Sequence, residues 1–256
     1  MTDVVDINCD MGESYGRWVL GDDAGIMPFI TSANIACGWH GGDPGVMRAT
    51  LELAKEHGVG AGAHVGLPDL LGFGRRQMAV SPQETRDYVL YQYGALRAFA
   101  DAVGVPVQHI KPHGAFYVMI NKDPSLATAL AEAVKEVDPE LVLILMDTQA
   151  LSVVSSMGVA VAPEAFPDLD YDADGSLILE RAKQPRDPAR VAERILRVVR
   201  EGMLQAIDGT DLSVSATTFC IHGDSPNAVE VARGVRERLG AEGVEVASLR
   251  AVATAS

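Results

Sequence analysis

An α/β fold with a parallel sheet is the architecture this 256-residue sequence predicts. Two observations point to it. Seven short apolar or small-residue runs alternate with stretches of helical periodicity, and strands that alternate with helices pair in parallel through crossover connections. Polar tracts rich in His, Asp and Lys follow several of those runs, and barrels and open α/β sheets place their sites at such strand ends. A short barrel of about seven strands fits. An open doubly wound sheet is the alternative, and neither periodicity nor length separates the two. The chain is long enough, at 48% hydrophobic residues, for one barrel domain spanning 1–256.

Each element has its own signal. Residues 4–9 form the first predicted strand and 33–37 the second. Asp43-Pro44 then supplies an N-cap and an N1 proline. The helix that follows carries Val46, Thr50, Leu53, Ala54 and His57 on one face and stops at Gly58. Residues 59–65 are a third strand, rich enough in glycine for another group to approach closely. Ser81-Pro82-Gln83-Glu84 reads as a capping box with proline at N1, opening a helix to about Val103. The fourth strand is 107–111, and Asp123-Pro124 opens a helix to about Val137. Residues 141–146 are the most apolar strand, expected near the centre. A short helix at 148–157 leads to a strand at 159–163. Asp187-Pro188 opens a helix to about Gly202, 217–222 is the last strand, and Ser225-Pro226 opens the closing helix. The stretch 165–186, with Asp168, Asp170, Asp172 and Asp174, lacks the spacing of a calcium loop. It is expected to be a mobile, solvated loop over the site mouth.

Composition excludes several classes. With 35 acidic against 21 basic residues the net charge is -14, which repels phosphate backbones and argues against nucleic acid. Three widely spaced cysteines make neither a disulfide framework nor a Cys-rich zinc site. Cys37 near His40 admits a thiol nucleophile, though a small buried residue is the simpler reading. The chain opens directly on its first strand without a signal pattern, and no apolar run approaches a membrane span, so a cytoplasmic protein is expected. Neither a P-loop nor a Gly-x-Ser-x-Gly elbow occurs.

The tracts that carry chemistry lie at strand ends. Asp10 and Glu13 flank Gly12 after the first strand; two close carboxylates divide into acid and base or hold a cation, or merely cap a helix. His40 precedes a helix N-terminus, and His64 ends a strand before Gly66. His109, Lys111 and His113 alternate, so strand geometry puts all three on one face. A lysine between histidines holds an anion or has a lowered pKa, while His109 lies deeper, where simple packing in the core is the alternative. His222 and Asp224 repeat the theme after the last strand, where Asp224 either orients the imidazole or caps the next helix. Arg75 and Arg76 offer cations for a carboxylate or phosphate, or plain surface charge. His57 sits in a last helical turn, complements the dipole there, and is set aside.

Long motifs in order carry a resemblance. Asn-Cys-Asp-Met-Gly-Glu-Ser-Tyr-Gly at 8–16, Thr-Ser-Ala-Asn-Ile-Ala-Cys-Gly-Trp-His-Gly-Gly-Asp-Pro at 31–44 and Gly-Phe-Gly-Arg-Arg at 72–76 resemble the LamB/YcsF family. So do His-Ile-Lys-Pro-His-Gly-Ala-Phe-Tyr at 109–117, Asp-Gly-Thr-Asp at 208–211 and Cys-Ile-His-Gly-Asp-Ser-Pro at 220–226. The resemblance runs nearly end to end. It departs at Trp39, Val65 and Leu67, where the family usually has Phe, Pro and Tyr, at Leu169 in place of an arginine, and over 180–185. It implies a seven-stranded parallel β/α barrel like that of the glycoside hydrolase/deacetylase superfamily. It also implies ATP-dependent opening of 5-oxo-L-proline to L-glutamate alongside partner subunits B and C.

The same resemblance sets expectations for the site. Asp10, Glu13, His64, Lys111, His113, His222 and Asp224 are the candidates for catalysis. Asn8, Asn34, His40, Arg75 and Arg76 are the candidates for holding the lactam. By analogy with deacetylases of the superfamily, Asp10, His40 and His64 would hold a divalent metal. Because an unactivated lactam carbonyl is a poor electrophile, coupling to ATP makes sense if the lactam oxygen is phosphorylated before water attacks. A metal-dependent deacetylase or amidohydrolase acting without ATP is one alternative. A non-catalytic subunit that presents a lactam to its partners is another, and a homo-oligomer is compatible with either.

Overall fold

The computed structural model describes residues 3–178 and 184–255. Residues 179–183, part of the irregular stretch and of the departure over 180–185, lie outside the described residues. Seven parallel strands close into a barrel: β1 (Val4–Met11), β2 (Ser32–Ala36), β3 (Gly60–Val65), β4 (Val107–Pro112), β5 (Val142–Met146), β6 (Ala160–Ala165) and, after two hairpins, β11 (Thr218–His222). The hairpins are β7 (Asp170–Tyr171) with β8 (Leu177–Ile178) and β9 (Met203–Gln205) with β10 (Asp211–Ser213). Closure decides between the two architectures open at the sequence level. β1 pairs with β2 on one side and with β11 on the other, Asp10 lying opposite Asn34 and His222 respectively. A short β12 (Glu245–Val246) adds to the start of β1.

Alternation along β1 sorts its side chains. Val5, Ile7, Cys9 and Met11 belong to the apolar layer beneath the helices, while Asp6, Asn8 and Asp10 join the polar barrel interior. The helices are α1 (Asp23–Ile26), α2 (Pro44–His57), α3 (Pro82–Val103), α4 (Gly114–Lys122), α5 (Pro124–Val137), α6 (Gln149–Ser156), α7 (Pro188–Glu201), α8 (Ala228–Ala241) and α9 (Leu249–Ala255). The three Asp-Pro openings and Ser81-Pro82 behave as read. Asp43, Asp123 and Asp187 each accept from a first-turn amide, and Ser81 with Glu84 closes a reciprocal capping box. At the base of the barrel Leu249 of α9 packs on Val142, Ile144 and Ala162, an apolar plug beneath a polar interior.

Four features differ from expectation. The buried face of α2 is Met47, Thr50, Leu51 and Ala54, with His57 exposed. Both this stripe and the expected one satisfy helical spacing, and the bulkier Met47–Leu51 pair takes the core. Residues 165–169 and Tyr171 are buried rather than solvated, because Asp168 finds donors in His222 and Tyr171 Oη accepts from Phe166 N. Helix α4 has no sequence signal: His113 makes no side-chain cap, and Gly114 enters the helix at φ +52°. Helix α8 starts at Ala228, two residues past Pro226, and its N-cap Asn227 makes no side-chain cap because that amide is bonded to the backbone of Arg186.

Candidate active site

The site rests on an ionic floor inside the barrel. The Lys111 ammonium lies 2.8 Å from Glu164 Oε1, 3.2 Å from Asp10 Oδ1, 3.2 Å from Asn8 Oδ1 and 3.0 Å from Cys220 Sγ. Burial works against that charge, but Asp10 and Glu164 outweigh it and hold Lys111 well above the usual lysine range. Tyr117 donates to Glu164 Oε2 at 2.8 Å, and Asn8 donates to Glu164 Oε1 at 2.9 Å. Asn34 donates to Asn8 and Asp10, and its carbonyl oxygen lies 2.8 Å from His109 Nε2. Strand β3 makes room for this layer. A Cβ at Gly62 would collide with the His109 ring and one at Gly60 with Gln108. A bulge opposite Ala61–Gly62 sends both Gln108 and His109 toward the barrel interior.

Above the floor, Glu13 and three imidazoles cluster. Gly12 adopts φ +66°, and its amide is held by Asp23 at 2.8 Å, which turns the chain between Asp10 and Glu13. His64 Nδ1 lies 3.0 Å from the Lys111 carbonyl, so that nitrogen carries the proton. His113 Nε2 lies 2.8 Å from the Phe73 carbonyl and carries its proton likewise. Phe73 sits at φ +55°, a strained conformation that costs roughly 1–3 kcal/mol. The other ring nitrogens, His64 Nε2 and His113 Nδ1, face each other at 2.9 Å. Glu13 Oε1 is 3.5 Å from His113 Nδ1, 4.0 Å from His64 Nε2 and 3.3 Å from His40 Nε2. His40 stacks on His113 with ring centroids 3.7 Å apart. Glu13 Oε1 and both His40 nitrogens lack hydrogen-bond partners among the described residues. The donor atoms of Glu13, His40, His64 and His113 lie within 4.8 Å of one another, a buried set with the composition of a metal site.

The two carboxylates diverge in charge. Burial would raise Asp10, but His64 and Lys111 outweigh it and hold it well below the usual carboxylate range. Burial and the neighbouring Asp10 charge push Glu13 up to about 8. Burial, reinforced by neighbouring imidazoles, drives His40 and His113 well below the usual histidine range.

The opposite wall is built by β11 and the segment after β6. Asp168 accepts from the His222 backbone amide at 2.8 Å and lies 3.1 Å from its Nδ1. His222 stacks on Phe166. Arg75 pairs with Asp224 at 3.0 Å, joining the loops after β3 and β11. Phe166, His222, Arg75 and Asp224 line a cleft, with Tyr117, Val118, Leu169 and Leu177 as its apolar side.

The structure brings Asp10, Glu13, His64, Arg75, Lys111, His113, His222 and Asp224 to this cleft, with His40 behind Glu13. Other candidates lie elsewhere. Asn8 and Asn34 belong to the floor, and Arg76 turns away to Asp69 with its side chain 67% exposed. In the expected metal trio, Glu13 and His113 stand with His40 and His64, whereas Asp10 groups with Cys220 and His222. A Cys37 nucleophile is not supported: the buried thiol donates to Ile35 O, and burial pushes it up to about 12. Sequence reasoning missed Glu164, Tyr117 and Phe166, and it read Asp168 as solvated. Glu164 had one usable signal, a carboxylate at the end of an apolar strand.

Comparison with known proteins identifies the family. The LamB/YcsF family model matches residues 5–254. The 5-oxoprolinase A subunit of Syntrophobacter fumaroxidans is 50% identical over 249 residues, covering 96% of this chain and 98% of the relative. The crystal structure of a lactam utilization protein from Thermus thermophilus superposes with a TM-score of 0.87 at 48% identity, covering 96% of this chain and 99% of that one. A family 4 carbohydrate esterase from Streptomyces lividans, 9% identical with 95% and 91% coverage, reaches a TM-score of 0.51 and shares the fold alone. On the strength of the end-to-end family match, this chain belongs to the LamB/YcsF family.

Proposed function

We propose that this chain is the lactam-handling A subunit of a 5-oxoprolinase. The observation that carries the reading is its end-to-end match, at about half identity, to relatives bearing that name. The cleft supports it. A small cyclic amide with a carboxylate needs a cation near an apolar wall, and Arg75 stands across from Val118, Leu169 and Leu177. Opening the ring breaks the C–N bond, adds water oxygen to the carbonyl carbon and gives the nitrogen a proton. His222, with Nδ1 held by Asp168, is the group we assign to carry that proton from water to nitrogen. Asp10, held ionised, orients the water. ATP coupling we assign to the assembly with B and C subunits. Lys111 has spent its charge on the floor, and Arg75, the other cation in the cleft lining, is taken by Asp224 and the lactam carboxylate together, which leaves no cation there for a triphosphate.

The test combines binding and turnover. The chain alone should bind 5-oxo-L-proline by calorimetry, and glutamate should form with ATP only once B and C subunits of a relative are added. An assembly that forms and turns over no lactam would sink the reading. The His/Glu cluster favours one rival, an amidohydrolase acting without ATP. Glutamate release by the chain alone, without nucleotide and abolished by chelator, would select that rival.

A further inference from the structure

We propose that Glu13, His40, His64 and His113 bind one divalent transition-metal ion, and that Asp10 lies outside its ligand set. The argument is one of hydrogen-bond accounting. A carbonyl oxygen only accepts, so the Lys111 carbonyl fixes the proton of His64 on Nδ1 and the Phe73 carbonyl fixes that of His113 on Nε2. The other two nitrogens then meet at 2.9 Å, a contact that needs either a shared proton or a metal ion between or beside them. Glu13 Oε1 and His40 Nε2 come to the same point, 3.3 Å apart, and neither makes a hydrogen bond among the described residues. Ligand atoms of a tetrahedron with ~2.05 Å bonds are ~3.4 Å apart. Four of the six separations among these atoms, 2.9, 3.3, 3.5 and 4.0 Å, surround that value, and the two from His40 to the other imidazoles lie within 4.8 Å.

The outer contacts point the same way. A metal-binding histidine usually gives its other N–H to a carbonyl or carboxylate, which fixes the ring and its tautomer. Both locked rings here do so. Three imidazoles and one carboxylate suit zinc, cobalt or nickel rather than calcium or magnesium. Asp10 is differently placed. Its Oδ1 accepts from Asn34 and Lys111, and its Oδ2 is 3.3 Å from His64 Nε2. That position supplies counter-charge beside the ion and leaves room for substrate on the His222 side.

The competing account puts protons where the ion would be, one shared by His64 and His113 and one on Glu13 toward His40. Metal measurements distinguish the two. They use neither lactam nor ATP, so their failure would leave the 5-oxoprolinase reading standing. Protein purified without chelator or metal-affinity resin should carry about one equivalent of zinc or a neighbouring metal by mass spectrometry. Stripped protein refilled with equimolar zinc should gain roughly 5–10 °C in Tm. His113→Gln and Glu13→Gln should weaken zinc binding on the order of a hundredfold, while Asp10→Asn should change it less than about threefold. Should the variants fail to fold, the visible spectrum of the cobalt-substituted parent reads the ligand set. Intense four-coordinate bands support the proposal, and a weak hydrated spectrum overturns it. Less than a tenth of an equivalent of any metal, with no Tm response to zinc, cobalt or nickel, would establish the shared-proton account instead. Loss of metal from Asp10→Asn as complete as from His113→Gln would overturn the ligand set.

Discussion

Lys111 and Glu164 lie 2.8 Å apart with side chains 2% and 0% exposed, 53 positions apart in sequence and on opposite sides of β5. This pairing changes what the lysine is for. Flanked by His109 and His113, it reads from sequence as a cation offered to substrate. In the fold it neutralises carboxylates that would otherwise be buried and alone.

Lys111→Met should therefore destabilise the protein rather than merely silence it. Removing one partner of a buried pair leaves uncompensated charge and costs about 3–5 kcal/mol. Adding Glu164→Gln should recover part of that loss, and Lys55→Met, which loses one exposed hydrogen bond to the Val103 carbonyl, should cost no more than about 1 kcal/mol. Urea unfolding of the set is the measurement. A Lys111→Met protein as stable as the parent would show that the pair contributes nothing.

Asp168 should matter through His222. Asp168→Ala frees the imidazole to flip and removes its orienting partner. Turnover by the reconstituted assembly should fall on the order of a hundredfold, the lower range for general acid–base catalysis. KM should hold, and the pH–rate profile should move with the histidine. A change in KM alone would mean that Asp168 only shapes the cleft.

Asp6, at the bottom of the barrel, gives a pH signature. Burial, opposed by hydrogen bonds from Ser32, Thr218 and Thr31, raises its carboxyl from 3.8 to about 6. A raised folded-state pKa means the native state holds the proton more tightly. Its stabilising contribution is full below about pH 4 and is lost as pH rises through about 6, amounting to about 3 kcal/mol. Asp6→Asn should flatten the parent's loss of stability across that window. Identical stability-versus-pH curves for the two proteins would refute the assignment.

Two glycines should respond oppositely to alanine. At Gly62 the new methyl meets the His109 ring, and overpacking should cost roughly 1–3 kcal/mol or more. At Gly94, exposed within α3 with nothing within 4 Å, alanine should stabilise by about 0.5–1 kcal/mol. Thermal melts of the two variants check both signs.

Much of the fold was legible because its signals are local. Asp43, Ser81, Asp123 and Asp187 mark helix starts by chemistry completed within a few residues, and the seven apolar runs announce their own strands. Closure was not legible, since it depends on β1 and β11 meeting across more than 200 residues. At the site, the strand-end tracts are visible because His, Lys and Asp stand out after apolar runs. Their partners are not. Charge pattern cannot tell Asp168, buried against His222, from Asp172 and Asp174, which are exposed nearby. The bulge that adds Gln108 to the interior breaks the alternation on which a strand reading depends.

The polar barrel interior has a consequence for how such a protein can diverge. Asp10 and Lys111 line the cleft and, with Glu164 beneath them, support the strands at once, so a change in one is felt first as lost stability. Any lineage altering its substrate would meet least resistance where that burden is absent. Arg75, Leu169 and Leu177 lie on segments outside the barrel strands, and variation there leaves the ionic floor untouched. Selection for a new substrate should write itself into those loops while the strand ends stay silent.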